Sequence, residues 1–186
     1  KQGILLPQIR VTCGQTSEMS VSMTTLLDGN THSIGVLHVR AERQDGSPLR
    51  VFLSGTIDER ADLSILFTAL EEPLIFNLKG IERINSIGVH RWIPPIVELS
   101  KHRRITVEAL SYAWVLQANA VANLFGTAAV DSCVAPYYCP TCKENRLPLV
   151  TAKDVAAAAE AAPVKHCDTC AAAMEFDELD SYFSFL

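Results

Sequence analysis

The sequence predicts an α/β layer fold, a mixed β-sheet with crossover helices, followed by a small cysteine-held unit. Three observations point there. Apolar and polar residues alternate through "GVLHVRAERQDGSPLRVFLSG", the two-residue period of paired, half-buried strands. Downstream, segments with apolar residues at helical spacing alternate with short apolar runs, the order that builds parallel strands joined by right-handed helical crossovers. Finally, four of the six cysteines form two C-x-x-C pairs near the end of the chain.

Each element follows from its residues. Residues 1–32 carry Ser, Thr, Gly and Gln between short apolar patches such as Ile4-Leu5-Leu6, and read as an irregular lead-in, either an extra strand or the tail of another module. Leu37, Val39 and Ala41 alternate with His38 and Arg40; "QDGSP" turns the chain, and Leu49, Val51 and Leu53 resume the alternation, making a hairpin. Leu63, Leu66, Phe67 and Leu70 then form the apolar stripe of a helix that Asp58 can cap. "PLIFNL" is a strand of the sheet interior, "NSIGVHRW" opens a second helix and "RITVEAL" is another strand. "SYAWVLQANAVANLFG" is a third helix with Trp114, Val121 and Phe125 on one face, Ser111 to cap it and Gly126 to end it. "AAVDSCVAPYY" reads as one further strand. The α/β domain thus spans residues 33–136, and residues 137–186 form the cysteine unit and a tail. Within that unit "AAAAEAAP" is either a helical turn or a linker.

Composition narrows the function. The net charge of −5 and pI near 5.5 offer no general pull towards nucleic acid or anionic lipid. No run of about 18 apolar residues marks a membrane span. There is no P-loop, dinucleotide glycine fingerprint or G-x-S-x-G motif, and His32, His38, His90, His102 and His166 show no ligand or triad spacing. A non-enzymatic role is expected, with protein partners. Six cysteines in a chain with this much apolar sequence suggest a cytoplasmic protein with one metal site rather than a disulfide scaffold.

Cys139, Cys142, Cys167 and Cys170 form C-x2-C-x24-C-x2-C. Each pair suits a tight knuckle aiming two thiolates at one ion, and two knuckles complete a tetrahedral Zn–S site at about 2.3 Å per bond, a zinc-ribbon-like arrangement holding structural Zn2+. Such a site leaves no position for water. An iron–sulfur centre or a thiol-redox pair are the alternatives, and would make this an electron-transfer protein. Lys143 and Ala171 stand where knuckles usually have glycine, so less regular knuckles are expected. His166 is a substitute ligand or, more simply, a surface residue, while Cys13 and Cys133 read as ordinary thiols. From Cys139 to Leu186 four Lys or Arg face eight Asp or Glu, a net of −4 that opposes nucleic acid. In the tail "MEFDELDSYFSFL", Met174, Phe176, Leu179, Tyr182, Phe183 and Leu186 either close over the unit and the adjacent sheet or dock a partner.

The stretch "VFLSGTIDERADL…LIFNLKGIERINSIGVHRWI" resembles the STAS domain of bacterial anti-anti-sigma factors and of sulfate-transporter tails, over roughly residues 33–136. Ser54-Gly55 match the family's first turn, and Asn85-Ser86-Ile87-Gly88 match its D-S-x-G motif at the start of the second helix. The resemblance implies a STAS-like sheet, a serine at Ser86 phosphorylated by a GHKL-type kinase, and release of a sigma factor when the unphosphorylated form binds that kinase or anti-sigma factor. Asn85, Ile87, Gly88 and His90 would then flank the partner surface. A helix start tolerates phosphate, whose added charge acts by repulsion and desolvation at the interface. The structural reading of Ser86 is a plain N-cap, worth about 1 kcal/mol. Two departures stand out: Asn85 replaces the usual acidic residue, and Pro94-Pro95 should kink or split the helix near Trp92.

Overall fold

The computed structural model describes residues 29–63, 74–158 and 162–186. Its centre is a mixed six-stranded sheet of β1 (Thr31–Ile34), β2 (Leu37–Glu42), β3 (Leu49–Ile57), β4 (Leu74–Ile84), β5 (Ile105–Glu108) and β6 (Ala129–Val130), in that lateral order. The first three strands run antiparallel and β3 to β6 run parallel. The predicted hairpin is β2–β3: Val39 lies opposite Leu53 and Ala41 opposite Val51, all buried. β1 adds an edge strand starting at Thr31, at the end of the stretch read as lead-in. Residues 1–28 and the predicted stripe of Leu66, Phe67 and Leu70 lie outside the described residues. Asp58 turns its carboxylate onto Arg60, accepting from the backbone amide at 2.9 Å and from the guanidinium.

Because lateral order follows chain order, both crossovers from β4 to β6 step the same way. Right-handed crossovers then put α1 (Ser86–His102) and α2 (Tyr112–Ala120) on one face of the sheet. Aromatic packing agrees: Trp92 of α1 sits edge-on to Phe76 of β4 at 5.8 Å and 4.9 Å from Trp114 of α2. Trp92 is fully buried, and its indole N–H donates to the Leu124 carbonyl at 3.1 Å, so its one polar atom is satisfied. The other face carries a mostly polar row in register, Arg40, Asn77 and Glu108 with the aromatic Phe52 between the first two. Arg40 lies over the Phe52 ring at 4.4 Å, and Glu108 accepts from Asn77 and Arg50. This row explains why β3 and β5 alternate instead of reading as continuous apolar runs.

Three expectations are corrected. The prolines do not split α1, which runs on through Pro94 and Pro95. The carbonyls they leave unpaired belong to His90 and Arg91, both exposed residues, so water can satisfy them. The third helix stops at Ala120, where Val121 leaves helical for extended backbone; the chain then turns through the left-handed Asn123 and Gly126. "AAVDSCVAPYY" is not one strand. β6 stays in the main sheet, β7 (Ser132–Val134) leaves it, and β8 (Tyr137–Cys139) joins the cysteine unit. β7 still lies beside the end of β5: the buried Ser132 hydroxyl accepts the Ala109 amide at 2.9 Å, and Leu110 bridges to Cys133 in parallel, while the other edge of β7 pairs with a later strand.

The C-terminal unit is built from two small antiparallel sheets, β7 with β10 (Leu149–Thr151), and β8 with β9 (Glu144–Arg146) and β11 (Glu175–Phe176). A capping box of Thr151 and Asp154 starts the short α3 (Ala152–Ala157), into which the first alanines of "AAAAEAAP" fall. The core is continuous: Tyr137, Val150, Met174, Tyr182 and Phe183 join the same buried cluster as Leu37 and Trp92.

Candidate metal centre

The first cysteine pair caps the β8–β9 hairpin, and the second lies between Cys167 and the approach to β11. Each knuckle makes the same turn. The Lys143 amide donates to the Cys139 carbonyl at 2.8 Å, and the Ala171 amide to the Cys167 carbonyl at 2.9 Å. Lys143 and Ala171 both have φ of 57°, the left-handed conformation glycine usually takes at this position. The expected irregularity is therefore absent: two non-glycine residues accept that conformation, at roughly 1–2 kcal/mol each, and the knuckles match.

The knuckles bring Cys139, Cys142, Cys167 and Cys170 together, with all four Sγ atoms within 4.8 Å of one another. Cys139 to Cys170 is 3.5 Å and Cys142 to Cys167 is 3.8 Å. A tetrahedron with bonds of about 2.3 Å has edges of about 3.8 Å, whereas a disulfide needs about 2.05 Å. The four sulfurs are thus spaced for one ion and could bind it. Cys139 and Cys167 are buried, and Cys170 is the most exposed.

Local amides prepare the cluster for a cation. The Thr169 and Cys170 amides pull the Cys167 thiol down to about 6, and the Cys142 amide lies 3.4 Å from the Cys139 sulfur. Hydrogen bonding to Cys170, with some desolvation, pushes the Cys142 thiol up to about 12. One sulfur is poised as thiolate while a neighbour keeps a proton that an ion would displace. Cys133 stands apart: it is buried in the core, and burial pushes its thiol up to about 12. Cys13 lies outside the described residues. His166 is exposed and not among the converging ligand atoms.

The tail closes over both the cysteine unit and the helical face. Tyr182 donates its hydroxyl to the Val134 carbonyl at 2.8 Å, and Asn119 of α2 donates to the Tyr182 carbonyl at 2.9 Å. Phe176 stacks on Phe183 at 5.3 Å and tilts against Tyr137 of β8. Leu179 remains 75% exposed, so it is no part of this closure.

At the start of α1, the N-cap is Asn85 and not Ser86. The Asn85 side-chain oxygen accepts from the Gly88 amide at 2.8 Å, while its amide donates to Glu59 at 3.0 Å. Ser86 is the first helical residue and is exposed, as are Ile87 and His90; Gly88 is buried. Arg91 reaches back to donate to the Glu59 carbonyl at 2.6 Å, pinning the loop after β3 to the helix. Glu59, Arg91 and, at the metal centre, Arg146 and Thr169 carry no motif and were missed from sequence. Pairing across 23 to 32 residues leaves no local periodic signal.

No family model, curated protein or solved structure matches this chain. Among the described residues no helix is long and apolar enough to cross a membrane.

Proposed function

We propose that this chain is a STAS-like protein-interaction module of bacterial cytoplasmic signalling, resembling anti-anti-sigma factors, whose C-terminal extension is clamped by structural zinc. The observation supporting the clamp is the closed set of four converging thiols at tetrahedral spacing. Bound zinc would tie the two knuckles together and, with four protein ligands, offer no open position for hydrolytic chemistry. Cys139 and Cys142 would hold it from the hairpin side, and Cys167 and Cys170 from the tail side. The docking surface is the start of α1, where Ser86, Ile87 and His90 are exposed. Phosphate on Ser86 would add about −1.5 to −2 charges beside Asn85, which already holds the Glu59 carboxylate. That repulsion would switch off binding of a GHKL-type kinase or anti-sigma partner.

Metal analysis of the purified protein tests the clamp. One colourless zinc per chain is expected; iron with visible absorption would replace the clamp by an electron-transfer reading. Pull-downs with wild type, Ser86→Ala and Ser86→Asp test the switch. A kinase retained by the first two and lost from the third is expected. Equal retention on all three would reduce Ser86 to a helix residue without regulatory role.

A further inference from the structure

We propose that Arg146 is a charge-compensating residue of the metal centre, a cation bridging the two knuckles that helps them hold four thiolates around one ion. This inference rests on the metal-clamp reading above. Four thiolates around a divalent ion carry a net charge of about −2, in a segment already rich in carboxylates. Glu144 and Asp168 flank the cluster, one on each knuckle.

Arg146 is placed between them. It lies on β9, four residues after Cys142, and its side chain is 33% exposed. Its Nη2 donates to the Glu144 carboxylate at 2.5 Å and to the Thr169 hydroxyl, inside the second C-x-x-C, at 3.1 Å. Its Nε lies 3.9 Å from Asp168 and is buried without a hydrogen-bond partner. A single guanidinium thus spans both knuckles and keeps one buried N–H unsatisfied. The charges it responds to are Glu144 first, then Asp168, Cys167 and Cys142, all of which favour its cationic form. A purely structural arginine would be explained by Glu144 and Thr169 alone. The buried, unpaired Nε, 3.9 Å from Asp168 of the second knuckle, is what that account leaves over.

Partners of this kind commonly change metal affinity by about 10–100-fold. The test measures Zn2+ affinity by competition against a chelator of known strength, for wild type, Arg146→Leu and Arg146→Lys. Cobalt(II) absorption and far-ultraviolet circular dichroism of each loaded protein report whether the tetrathiolate site and the fold persist. Arg146→Leu should bind zinc about 10–100-fold more weakly, with the cobalt spectrum still that of a tetrahedral thiolate site, and Arg146→Lys should recover most of the loss. Leu affinity within twofold of wild type would overturn the proposal, as would a Lys variant as weak as Leu, since that outcome needs only the lost fork to Thr169. A wild type that takes up no metal would sink the clamp itself, a result distinct from either.

Discussion

Replacing Gly88 by alanine sets two effects of known size against each other at the start of α1. Gly88 is the third residue of the helix, and nothing about its φ requires glycine. In an isolated helix the change would gain about 1 kcal/mol. In this protein a Cβ at that position would lie 2.3 Å from the Ile57 carbonyl oxygen and 2.8 Å from its carbon. The obstacle is backbone at the end of β3, fixed by the parallel register with β4 and by accepting the Asn85 amide at 3.2 Å. It cannot swing aside as a side chain could. The helix start must retreat by about 0.7 Å merely to reach a strained 3.0 Å contact, and that movement stretches the Asn85 bond past useful length. Overpacking costs about 1–3 kcal/mol and the lost hydrogen bond about 1 kcal/mol. Against the helix gain, the net expectation is a destabilisation of about 1–3 kcal/mol. Urea unfolding should show a lower midpoint with an unchanged slope. An alanine variant as stable as wild type would refute the claim that β3 fixes the position of this helix start.

Other outcomes follow from the same geometry. Asn85→Ala removes the N-cap and the bond to Glu59, and should lower stability by about 1 kcal/mol in the same urea assay. The Arg60 side chain and amide hold the Asp58 carboxyl below the usual carboxylate range. Its contribution is therefore complete above the unfolded pKa of about 3.9 and is lost as pH falls through the lower folded value. Asp58→Asn should be less stable than wild type at pH 7, and the gap should close on acidification below about pH 4; thermal melts over that range check it. Tyr182→Phe leaves the Val134 carbonyl without its buried donor and should cost about 1–2 kcal/mol, read as a fall in the melting temperature. Stripping metal with a strong chelator should open Lys143, Arg146 and Lys165 to trypsin while the sheet resists. Unchanged resistance of those three sites would count against the clamp.

The sequence alone determined the features whose signal is local. The β2–β3 hairpin, β5 and the existence of α1 and α2 were legible because Val39, Leu53, Trp92 and Trp114 fall on the periods of their own segments. The four metal-centre cysteines were legible because a knuckle is itself a four-residue unit. What only the tertiary structure decided depends on groups distant in the chain. Strand alternation could not tell that β6 would stay in the sheet while β7 pairs with β10, nor that Ser132 would anchor β7 to the Ala109 amide 23 residues earlier. Pro94 and Pro95 argued for a broken helix, yet their missing donors face exposed positions and the helix continues. Asn85 rather than Ser86 proved to be the cap because the chain enters α1 one residue earlier than the motif suggested. Arg146 reached the second knuckle through Thr169, 23 residues onward. Periodicity reports which face of an element is apolar; only packing decides which neighbour that face, or a single guanidinium, will meet.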